Sequence, residues 1–134
     1  MIIYLVKMIH KPSQKVCYKI GHTQKKIAER FSSEEYNDFD ITRLSHIFFS
    51  HDKWAYAKVA AETLEFAIQQ VIPPKSPSFI IEDYFNVPRD TLKIGGVTEL
   101  IFLKENQTEQ LIVDRFNVFV DSIDKLQRKL NRIT

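Results

Sequence analysis

The chain has 134 residues, 44% of them hydrophobic, with a formal net charge of +2 and an isoelectric point near 8.6. That length suits one domain with a real core, and only 3 glycines and 5 prolines argue against a long disordered tract. The charge permits a polyanionic partner without requiring one, while the single cysteine, Cys17, excludes an internal disulfide framework and a cysteine-rich zinc site. The opening MIIYLVKMIH is too short and too interrupted for a signal peptide, and no apolar run reaches membrane-spanning length. The expectation is a soluble protein of a reducing, cytoplasmic compartment with no membrane partner.

Residues 2–9 are rich in β-branched and aromatic types and read as a strand. Residues 10–14, with Lys11-Pro12-Ser13, read as a turn, and residues 15–21 as a second strand in which Val16, Tyr18 and Ile20 alternate with Lys15, Cys17 and Lys19. A short turn between two strands makes an antiparallel hairpin. Thr23 then serves as N-cap for a helix over 24–31, with Ile27 and Phe31 facing inward. Residues 32–40 are polar and read as a loop, and 41–49 as a third strand. Asp52 caps a helix over 53–71, whose buried stripe is Ala57, Ala61, Leu64, Ile68 and Val71 and which Pro73-Pro74 stop. Residues 79–87 read as a short strand or edge segment before Pro88. Residues 89–103 hold no clear period, broken by Gly95-Gly96. Residues 109–131 form an amphipathic helix with Ile112, Phe116, Phe119, Val120, Ile123, Leu126 and Leu130 on its apolar side. That helix either caps the sheet or pairs with a second copy of the chain as a homodimer.

The chemistry concentrates in CYKIGHTQKKIAER, residues 17–30. A lysine beside a strand-end glycine, a histidine next to it and an arginine on the following helix can converge on one anion. Gly21 lets a phosphate approach the backbone, Arg30 donates a planar fork of N–H groups, and Lys19 acts as a point charge. Tyr4, on the neighbouring strand, can lie beside Lys19, whose ammonium favours the phenolate and makes Tyr4 a proton acceptor for an attacking water. Lys7, Lys11, Lys15, Lys19, Lys25, Lys26 and Arg30 crowd the first 30 residues, where Glu29 is the only acid. That asymmetry suits a phosphate backbone.

Ile2-Ile3-Tyr4, then Lys19-Ile20-Gly21, then Arg30 resemble the GIY-YIG nuclease superfamily, most closely its phage and restriction-like branches, in which lysine replaces the tyrosine of the second motif. His22 matches the histidine that some restriction members place after the glycine. The resemblance spans roughly residues 1–87. Ile2 stands where the first motif has glycine, and Tyr18 falls one position before Lys19, on the opposite strand face. The resemblance implies an α+β fold: a small three-stranded antiparallel sheet flanked by helices over 1–87, with 88–134 as an extension carrying the extra C-terminal amphipathic helix and packed on the same domain. It also implies a metal-dependent endonuclease acting on nucleic acid, DNA in the first instance, in a phage or mobile element. One divalent ion, Mg²⁺ or Mn²⁺, would be held by a single glutamate: Glu65, with Glu62 and Glu82 as alternatives. Tyr4 would be the general base and Arg30 the transition-state partner. Lys19 would orient the water or hold Tyr4 anionic, and His22 would contact the phosphate or relay a proton. The competing reading is a catalytically inactive module of the same kind that binds nucleic acid or a protein.

Overall fold

The two N-terminal segments pair as their alternation predicts. In the computed structural model, which describes residues 2–48, 54–70, 72, 78–92, 94 and 100–133, β1 (Ile2–His10) and β2 (Val16–Thr23) form an antiparallel hairpin. The register sets Tyr4 opposite Gly21, Leu5 opposite Ile20 and Val6 opposite Lys19. The turn closes through Gln14, left-handed at φ 59°, with the Gln14 N–H donating to the His10 carbonyl at 2.7 Å. The Ser13 N–H and hydroxyl both approach His10 Nδ1, at 3.3 and 2.7 Å. Because a backbone N–H can only donate, Nδ1 is the acceptor and the ring proton sits on Nε2.

β3 (Phe39–Phe48) lies antiparallel on the other side of β1, with a bulge opposite Leu5 and Val6, whose partners are Ser45 and Arg43. A fourth strand, β4 (Leu100–Ile101), adds to β2 beside Tyr18 and Lys19, giving the order β3-β1-β2-β4. The fold is α+β as expected, but among the described residues the sheet has four strands rather than three. Two residues are too few to show a period in sequence, and it is burial of Leu100 against the sheet that recruits them.

The helices follow with corrections. α1 is only Ile27–Arg30. Thr23 ends β2, and its hydroxyl accepts the Lys25 N–H at 3.0 Å, holding a turn ahead of the helix instead of capping it. The polar stretch 32–40 contains a 3-10 turn, Glu34–Tyr36, that buries Tyr36. α2 is Trp54–Gln69, with Ala60, Leu64 and Ile68 buried. Asp52, Val71, Pro73, Pro74, Gly95 and Gly96 lie outside the described residues, as do the side chains of Ala57 and Ala61. Residues 79–87 form no strand. Ile81–Phe85 is a short helix, α3, because Ile81 and Phe85, four apart, both bury. It ends at left-handed Asn86, φ 59°, with the Asn86 and Val87 N–H groups returning to the Asp83 and Glu82 carbonyls at 3.3 and 2.9 Å. α4 is Glu109–Ile133.

The sheet buries both faces, which is why β1 is nearly continuously apolar. On one face Ile3, Leu5, Tyr18, Ile20 and Ile47 meet α2 and, on α4, Ile112 and Phe116. On the other, Tyr4, Val6, Met8, Cys17 and Phe39 are covered by α1, Tyr36, α3, Ile94 and Leu100. α4 therefore caps the sheet, tied at its start by Glu109 to Lys7 at 2.9 Å and by Asn117, whose side-chain oxygen accepts from the Ser45 hydroxyl at 3.0 Å. Among the described residues, no helix is long and apolar enough to cross a membrane.

Candidate functional site

Strand alternation fixes which side chains can meet. Tyr4 on β1, and Lys19 and Gly21 on β2, point to the face covered by α1 and α3. Tyr4 and Lys19 are both deeply buried, 1% and 2% exposed. The phenol of Tyr4 lies across the strand pair directly over Gly21. A Cβ at residue 21 would stand 2.7 Å from Tyr4 Cζ and overlap the hydroxyl. The space that a side chain would occupy on β2 is thus filled by the tip of the Tyr4 side chain.

α1 brings Arg30 to the same region. The Phe31 ring, next in the chain, stands edge-on to Tyr4 at 5.4 Å and to Tyr36 at 4.9 Å. The Arg30 Nη1 donates to the Tyr36 hydroxyl at 3.5 Å, and the guanidinium lies 5.9 Å from the Tyr36 ring centre. Burial alone would lower the Arg30 pKa. The phenols of Tyr36 and Tyr4 and the carboxylate of Glu35 outweigh it, so the net shift is upward. Arg30 is a cation held against Tyr36 and Phe31.

Arg30 also lines a cavity of about 450 Å³, together with His22, Thr23, Lys25, Glu29 and Ser32. His22 borders this cavity with Arg30, but its register opposite Ile3 directs its side chain toward the helical face of the sheet, away from Tyr4 and Gly21. With two fixed cations against one carboxylate, the cavity carries net positive charge suited to an oxyanion. Tyr4, Lys19 and Gly21 form the packed layer of the same face.

The three candidate glutamates are separated. α2 packs on the opposite face of the sheet from Tyr4, and its Glu62 is exposed. The side chain of Glu65, also on α2, lies outside the described residues. Glu82, half-buried on α3, is carried on the face of Tyr4 and Lys19. Among the described residues, no group of three or more His, Cys, Asp or Glu side chains is arranged to hold a metal ion. The expected ion needs only one carboxylate, the substrate phosphate and its own waters; α3, which carries Glu82, packs against His10 and Val16, at the far end of the hairpin from Tyr4 and Gly21.

Two residues of this region carry no signal in the sequence. Tyr36 is a lone aromatic in a polar stretch, and only the 3-10 turn swings it inward, 2% exposed. His46 sits opposite Tyr4 across β1 and β3. Burial, then the nearby Arg43, lowers its pKa. The bulge sets that register, which pattern alone does not reveal. Tyr18 faces away from Lys19, as alternation predicts. Its hydroxyl donates to Glu109 at 3.0 Å, and burial first, then Glu109, pushes its pKa up. The early basic residues are dispersed: Lys7 pairs with Glu109 at 2.9 Å on the helical face, Lys15 lies 5.6 Å over the Tyr84 ring, and Lys19 is interior.

No family model, curated protein or solved structure matches the chain.

Proposed function

We propose that this chain is a metal-dependent endonuclease that hydrolyses phosphodiester bonds in nucleic acid, DNA first among them, with a site of the GIY-YIG type. The observation that carries this reading is the grouping of Tyr4, Gly21 and Arg30 on one sheet face, with the guanidinium lining a cavity. Two groups far apart in the chain, a candidate general base and a charge-balancing donor, share this face, and Gly21 makes room for the Tyr4 phenol between the strands.

In this mechanism a phosphate enters the cavity beside Arg30 and His22. Tyr4 accepts the proton of the attacking water at its phenolic oxygen, and the Lys19 ammonium on the same face favours the phenolate. Arg30 balances charge that builds on the phosphoryl oxygens, a contribution of about 3 kcal/mol for one preorganised donor. Of the three candidate carboxylates, Glu82 shares the sheet face of Tyr4 but is carried by α3, beside His10 at the far end of β1, while Glu62 and Glu65 belong to the helix on the opposite face; one of the three would hold Mg²⁺ or Mn²⁺. When bound, the ion would polarise the phosphate and stabilise the leaving oxygen. Since Tyr4 is 1% exposed, the Phe31 and Tyr36 rings must move aside for water to reach it. α1, one turn long, is the element able to do so.

The test is plasmid nicking with Mg²⁺ or Mn²⁺. Tyr4→Phe and Arg30→Ala should each slow cleavage by about 10²-fold or more. The burial of Tyr4 and Lys19 favours a second reading, a catalytically silent module that binds nucleic acid or a protein. Binding without cleavage, with both variants behaving as wild type, would establish that reading and end the enzyme proposal.

A further inference from the structure

α1 is a ridge with a cavity on each side. One side, with Glu29 and Arg30, lines the cavity already described. Its other side meets β3 in a cleft of about 480 Å³ lined by Ile27, Ala28, Phe31, Phe39, Ile41 and Arg43. Five of these six residues are apolar, two are aromatic, and the single polar group is an exposed guanidinium. No carboxylate among the described residues forms a salt bridge with Arg43. A cleft with mostly apolar side chains, a partly exposed Phe31 ring and the Arg43 cation complements a flat, uncharged ring joined to an anion.

We infer that this cleft receives a nucleobase from a single-stranded or unstacked stretch of nucleic acid, with Arg43 on a neighbouring phosphate. The inference rests on reading the cavity beside Arg30 as a phosphate site, and it adds a substrate class: the strand crosses α1, a phosphate on one side and a base on the other. A helix with its side chains is about 10–12 Å across, so the two sites belong to nucleotides close in sequence but not to a single nucleotide. Every base has a π-face, so stacking on Phe31 is tolerant of sequence. A base inside a duplex is stacked and paired, and it cannot enter without being extruded. Single strands should therefore bind more tightly than duplexes.

The experiment is fluorescence anisotropy without added metal, using a labelled 12-nucleotide DNA single strand, the same strand with abasic positions throughout its centre, and the matching duplex. The intact strand should bind about tenfold more tightly than the abasic strand, and more tightly than the duplex. Ala28→Phe, at an exposed position on α1, fills the cleft without changing charge. It should erase the difference between intact and abasic strands and leave abasic binding unchanged. Arg43→Ala should weaken both strands and reduce the salt slope by about one. Equal affinity for intact and abasic strands, or discrimination that survives Ala28→Phe, overturns the base site and leaves the phosphate reading standing. Failure to bind any of the three DNAs overturns both.

Discussion

The contact between Tyr4 and Gly21 gives the glycine a structural reason for its identity. Gly21→Ala would place a methyl group 2.7 Å from Tyr4 Cζ and 3.3 Å from Cε1, and onto the hydroxyl. The expected cost is about 1–3 kcal/mol, typical of an overpacked interior. Part of that clash is with the hydroxyl itself, so the penalty should be smaller in a Tyr4→Phe background. Urea denaturation of the four members of the cycle measures the coupling. His10 makes a different demand. Burial lowers its pKa below 6.5, and Asp38 only partly opposes the shift. The folded protein then holds fewer protons than the unfolded chain once pH drops below 6.5. The stability His10 confers is complete above that pH and is lost as pH falls through the folded value. His46 is shifted in the same direction. His10→Asn, which keeps an acceptor near Ser13, should shrink the loss of urea resistance between pH 7.5 and pH 5.5 without abolishing it. Placement of single residues was legible where strand period exposed it, as with the shared face of Tyr4 and Lys19. Tyr36 and His46 were illegible because a 3-10 turn and a bulge, each a local break in period, bring them to the site.

Elements were legible in proportion to their length and regularity. The hairpin, β3, α2 and α4 each run eight residues or more with a sustained period, and sequence placed all of them within a few residues of their ends. α1, α3 and β4 hold four, five and two residues. At such lengths tertiary contacts outweigh intrinsic preference, and Ile80-Ile81 beside Tyr84-Phe85 satisfies a strand pattern as well as a helical one. The first turn of α4 shows how a long element is anchored. Glu109 accepts from Lys7 at 2.9 Å and from Tyr18 at 3.0 Å. The Lys7 bond lowers its pKa, against an opposing effect of burial and with help from Tyr18. Its contribution is therefore present above pH 4.5 and lost as pH falls through the folded value. Both partners of the ion pair are about a third exposed, which solvent screening discounts to about 1 kcal/mol or less. Glu109→Gln should lower the thermal midpoint at pH 7 by a few degrees and have less effect at pH 4, a comparison that calorimetry can make.

At the scale of the whole molecule, the governing fact is a sheet covered on both faces. The helical layer of α2 and α4 fills one side, while the opposite side is closed by short elements and aromatic rings, among them Phe31, Tyr36, Phe39 and Phe85. This asymmetry accounts for what chemistry is available where. The long helices back one face, and the candidate site lies on the other, where Phe31 and Tyr36 belong to the cluster around Tyr4. The same arrangement places Cys17 in the interior of β2, fully enclosed opposite Met8. With no second sulfhydryl in the chain, that position is a natural gauge of breathing. A thiol-reactive dye should leave the native protein unmarked until the strands part, and its uptake rate at increasing urea should merge with the global unfolding rate. Rapid uptake in plain buffer would instead reveal that the cover of short elements lifts by itself while the helical backing stays in place.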